Sequence, residues 1–162
     1  MTIKGNLSGN LNLATAGKKL ITRYMYQRGR QFLFAALLLN EKIGKDYVYL
    51  HLICQGVEIT LKSALLFKDY DKYKAKLIKP LGHDLEKTLK EYLSEYGIKR
   101  IDKRIISEIS DLNLFYKKHR LRYATTIDIL IDPGSLKSKW TIKFISRLIK
   151  YFDKKFQLVS NI

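Results

Sequence analysis

Cysteine is all but missing from this chain. The single Cys54 excludes a disulfide framework and a cysteine-built zinc site within one chain. It falls in an apolar stretch, where a free thiol reads as a core residue, and a lone cysteine suits a reducing compartment. Long apolar runs are missing too. The longest, Phe32 to Leu39, falls well short of the roughly 20 residues a membrane-spanning helix takes. The opening MTIKGNLSGNLNLATAGKK is polar, rich in Gly and Asn, and has no apolar signal-peptide core. The expectation is a soluble, cytoplasmic protein with no membrane partner.

Catalytic signatures are absent as well. His51, His83 and His119 show no HExxH or other metal-ligand spacing, so no metal and no cofactor is expected. No G-x-S-x-G elbow appears. The Gly-rich start imitates a phosphate loop but fails its spacing: Asn12 stands where the first Gly belongs, and Lys19 follows Lys18.

The last shortage is of acid. Asp and Glu total 15 against 31 Lys and Arg, a formal charge of +16. Coding bias toward Lys, Ile, Tyr and Asn explains part of this, but it should raise Glu too, and Glu stays low. Such a surplus concentrates polyanions around the chain. RNA or a nucleotide is the favoured partner, with an acidic protein as the other.

What is present is helical periodicity. With 162 residues and 46% apolar content, the chain suits one domain with a real core. Residues 1–16 read as a flexible arm and 17–162 as a single domain of about five helices. A first helix runs from about Lys18 to Asn40, basic early and apolar late. The central helix, about Asp46 to Lys68, is apolar nearly all round. A short helix and loop follow to Gly82. A third helix starts at His83 or Asp84 and ends at Gly97, and a fourth spans Asp102 to Leu121. A short extended segment is expected near 125–131, then a turn at Asp132-Pro133-Gly134. Ser135 is expected to cap the last helix, which ends near Phe156. That helix carries Lys139, Lys143, Arg147, Lys150 and Lys154 on one stripe, a solvated face or a phosphate-contacting surface.

The central helix also carries a polar stripe. His51, Gln55, Glu58 and Lys62 share one face, and charge on a central helix must be paired or must line a cleft. With His83, Asp84, Asn113, Tyr116, His119, Arg120, Arg122 and Tyr123 they form the candidate site. Glu58 with Lys62 is equally an ordinary i, i+4 ion pair, and His83 and Asp84 are equally helix-cap residues. As chemistry, a His can move the 2′-OH proton of RNA while an Arg stabilises the phosphorane. That leaves His83, His119, Arg120 and Arg122 as catalytic candidates.

Four short stretches in order, Gln55-Gly56-Val57-Glu58-Ile59-Thr60-Leu61-Lys62, Gly82-His83-Asp84-Leu85, Leu112-Asn113-Leu114-Phe115-Tyr116 and Leu121-Arg122-Tyr123, resemble the HEPN superfamily of small helical proteins. The resemblance covers roughly Asp46 to Tyr123. It implies an all-α, up-down helical bundle, a homodimer, and a cleft that handles RNA or nucleotides in toxin–antitoxin and anti-phage defence. Many such proteins are metal-independent ribonucleases with an Arg-x(4–6)-His motif. No Arg stands at that distance before any histidine of this chain. The leading expectation is therefore a nucleic-acid- or nucleotide-binding module without the standard ribonuclease site. Its cleft would be lined by His51, Glu58, Lys62, His83, Asp84, Asn113, Tyr116, Arg122 and Tyr123. The alternatives are a metal-independent endoribonuclease with an unusual constellation, and a protein-interaction module docking an acidic partner.

Overall fold

The computed structural model describes residues 15–123 and 130–158, and within them six α-helices and no strand. Helix α1 (Thr15–Ile43) runs up and α2 (Tyr47–Lys68) runs down beside it, joined at Gly44, whose φ of 82° lies in the glycine-favoured region. Asp46 starts α2 by accepting from the Tyr49 N–H at 2.6 Å. Two glycines set how closely the pair packs. A Cβ on Gly29 would meet the Thr60 backbone nitrogen at 2.9 Å, and one on Gly56 would meet Leu33 Cγ at 2.4 Å.

Helix α2 is the central element. Leu50, Ile53, Cys54, Leu61, Ala64 and Leu65 are all fully buried. It is long and apolar enough to cross a membrane by length and composition, yet most of it is enclosed by the other helices. Around it stand α3 (Tyr70–Lys74), α4 (Leu85–Glu95), α5 (Lys103–Tyr116) and α6 (Lys139–Phe156). The chain is an all-α helical bundle.

The stops are chemical. Gly97, with φ of 64°, ends α4: its N–H reaches Ser94 O and the Ile98 N–H reaches Leu93 O, the paired closure that glycine allows. Helix α6 is anchored at its far end by Tyr26, whose hydroxyl contacts Asp153 Oδ1 at 2.7 Å and the Ile149 carbonyl at 2.9 Å. Burial and the Asp153 carboxylate push the Tyr26 pKa up, so the phenol keeps its proton.

Several sequence expectations shift. Thr15 and Ala16, assigned to the arm, belong to α1; the rest of the arm, and most of the segment expected to be extended over 125–131, lie outside the described residues. The fourth predicted helix stops at Tyr116 instead of Leu121, because His119 takes φ of 57° and the Arg120 N–H folds back to Phe115 O. Ser135 does not cap α6. Asp132 organises Pro133–Ser135 into a separate 3-10 turn, and the Ser135 hydroxyl is spent on Asp132 O at 2.6 Å. The first amides of α6 are satisfied from another helix: Glu108 of α5 accepts from Trp140 N at 2.8 Å and Thr141 N at 2.9 Å.

Candidate functional site

The polar stripe of α2 meets α5 and the loop before α4 at the Glu58 carboxylate. Glu58 is 4% exposed and Lys62, one turn on, 5%. Lys62 Nζ donates to Glu58 Oε1 at 2.7 Å, to Leu77 O at 3.0 Å and to Gly82 O. All three ammonium protons are used. Glu58 Oε2 accepts from the Tyr116 hydroxyl and lies 3.1 Å from His83 Nδ1. Burial opposes the charge on Glu58, but the bonds from Lys62 and Tyr116 outweigh it and hold the carboxyl below its ordinary range. Burial and the same carboxylate push the Tyr116 hydroxyl up.

This buried pair is a pedestal. By holding the Leu77 and Gly82 carbonyls, Lys62 fixes the loop that carries His83. Glu58 engages His83 through Nδ1, so the far ring nitrogen, Nε2, is left for a ligand. The His83 side chain is 44% exposed, so the ring stands at the mouth and not in the core.

Two more imidazoles gather here. The His119 ring centroid lies 5.2 Å from that of His83, and His51 stacks obliquely on Tyr116 at 5.8 Å. The left-handed backbone at His119 turns its ring toward His83; His is among the few non-glycine residues that tolerate this region. His51 Nδ1 is buried with no hydrogen-bond partner among the described residues. Burial lowers the His51 pKa, and the nearby Arg122 and His119 lower it further, which keeps its ring neutral at pH 7. Arg122 is exposed and close enough for its charge to act on both His51 and Tyr116.

The remaining predicted residues divide. Asp84 caps α4, accepting from Lys87 N at 3.1 Å and pairing with Lys117 Nζ at 2.6 Å. Burial opposes its ionisation, but the Lys117 contact and the backbone bond hold its pKa low. Asn113 ties α5 to α4, accepting from Leu85 N at 2.8 Å and donating to Asp84 and Glu86. These two are joints of the bundle. Tyr123 is 70% exposed. Arg120 borders a different cavity with Glu86, Lys117 and Ile131. Lys139, Lys143, Arg147, Lys150 and Lys154 are all exposed, along about 22 Å of α6 at 1.5 Å per residue.

Sequence reasoning missed Lys45, Arg104, Lys137 and Trp140, which border a separate cavity of about 520 Å³ between α5 and the start of α6. They come from three places in the chain, and the one signal was that Trp140 is the only tryptophan. Among the described residues no group of three His, Cys, Asp or Glu side chains is placed to hold a metal ion. No protein-family model, curated protein or solved structure matches the chain, so the site itself carries the functional reading.

Proposed function

We propose that this chain is a HEPN-like module that binds nucleic acid, RNA before other polyanions, with phosphate held at the cleft of His51, His83, His119 and Arg122. One observation carries the reading. Three imidazoles and a guanidinium, drawn from α2, the loop before α4 and the segment after α5, converge over one buried carboxylate. Lys62 is fully bonded without them, and Glu58 draws only His83 from the group, so the ion pair does not account for His51, His119 or Arg122. Imidazole N–H groups and an arginine fork are phosphate donors. The lysine stripe of α6 adds sequence-independent phosphate contacts and raises the encounter rate.

A second reading is favoured by the His83–His119 spacing. Two imidazoles in edge-to-face contact, 5.2 Å between centroids, beside an arginine can present a proton-transfer group and a charged donor to the same side of a phosphodiester, the groups that metal-independent RNA cleavage uses. In both readings the chain acts as a homodimer, and the exposed Phe34, Leu37 and Leu38 of α1 supply an apolar face for it.

The test is a labelled structured RNA titrated with the full chain at several salt concentrations without added metal, binding and cleavage being followed together. Binding that weakens steeply with salt and drops about 10- to 100-fold in Arg122→Ala, the loss of a charged hydrogen bond of about 1.5–3 kcal/mol, supports the module. Cleavage lost in His83→Ala or His119→Ala with binding retained selects the ribonuclease. Absence of both near physiological salt defeats the proposal and leaves an acidic protein as the partner.

A further inference from the structure

The cavity between α5 and the start of α6 is a second, chemically different site. Its volume, about 520 Å³, falls in the range of small-ligand pockets. Lys45, Lys137 and Lys139 border it and form no ion pair with a described residue. Arg104 is paired with Asp102, and its guanidinium carbon lies over the Trp140 ring, 3.4 Å from the centroid. The bordering carboxylates are Asp111 and Glu108, the second accepting from two α6 amides while keeping its charge. Three lysines against two carboxylates leave an excess of one positive charge. A phosphomonoester, about −1.5 to −2 near neutrality, is drawn to lysines that have no ion-pair partner of their own. Leu136 and the lysine stems add apolar wall, Trp140 borders them with Arg104 over its ring, and Ser107 adds a hydroxyl. We infer that this pocket takes a 5′-phosphorylated nucleoside, either a free nucleotide or the phosphorylated end of a strand. The inference stands whether or not the histidine cleft binds RNA.

The probe is built in, because Trp140 is the only tryptophan. The full chain is titrated by calorimetry and by tryptophan fluorescence with adenosine 5′-monophosphate, adenosine, and a short oligoribonucleotide with and without its 5′-phosphate. The expected result is at least tenfold tighter binding of a 5′-phosphorylated ligand than of its unphosphorylated form, with a change in Trp140 emission. Lys137→Ala with Lys139→Ala, its fold checked by circular dichroism, should weaken binding of adenosine 5′-monophosphate at least tenfold. Tight monophosphate binding identifies a free nucleotide; binding of the phosphorylated strand alone identifies a strand end. No dependence on the 5′-phosphate, silent Trp140, or unchanged affinity in the double variant overturns the inference.

Discussion

Replacing Glu58 by Gln probes the pedestal directly. The change keeps the shape and removes one charge. Lys62 Nζ, its side chain 7% exposed, then faces two carbonyls and a neutral amide where it had a carboxylate at 2.7 Å. Removing one partner of a buried ion pair costs about 3–5 kcal/mol, because the survivor remains buried and charged. A domain of this kind is stable by about 5–15 kcal/mol, so the loss is a large share of the whole. At about 2–4 °C per kcal/mol for this chain length, the melting temperature should fall by roughly 6–20 °C. Urea denaturation followed by circular dichroism gives the free energy independently. Glu58→Leu with Lys62→Met removes both charges together and should recover only part of the loss, the remainder being the Tyr116 hydroxyl and the Leu77 and Gly82 carbonyls left without partners. That double variant also frees the loop before α4, so RNA binding should remain impaired. A loss below about 1 kcal/mol in Glu58→Gln alone would refute the reasoning, since that is the scale of an exposed pair.

Gly29→Ala should destabilise by about 1–3 kcal/mol in urea despite alanine's better helix propensity, because its Cβ meets the Thr60 backbone at 2.9 Å and α1 must move off α2. Tyr26→Phe should cost about 1–3 kcal/mol by thermal melting, since Asp153, 3% exposed, loses a buried donor. Acid should act in two steps. His51 has a folded pKa below its ordinary 6.5, so the stability it contributes is present above that value and is lost as pH falls below it; Glu58, held below 4.5, behaves alike lower down. Melting temperature against pH should therefore decline below about 6.5 and again below about 4.5, and His51→Phe should abolish the first decline only. Lys143→Ala should leave RNA specificity unchanged and reduce the salt slope of binding by about one, read from anisotropy titrations.

The helical architecture was legible because its signals are local. The all-round apolar character of α2, the Asp84 cap and the Gly97 stop each rest on residues within a turn of one another. Tyr116 closing on Glu58 was half legible: each stood on a recognisable face, but nothing in the spacing said the two faces would meet. The helix stop after Tyr116 was hidden because it depends on one left-handed histidine, a conformation sequence periodicity does not reveal. Glu108 capping α6 was invisible for a plainer reason, since the cap comes from another helix more than thirty residues away. Asn113 was expected among the cleft residues and serves as a joint of the bundle, because buried polar groups need partners first.

With only three histidines in the chain, their ring resonances can be followed one by one, and that is the most direct measurement of the central claim. A short RNA is added to the 162-residue chain at near-physiological salt while the imidazole carbon–proton signals are recorded by NMR. The expected result is a saturable shift of His83 and His119, with His51 following, that Arg122→Ala suppresses. Binding that leaves all three imidazoles unmoved, and perturbs α6 alone, would contradict a phosphate site at the cleft.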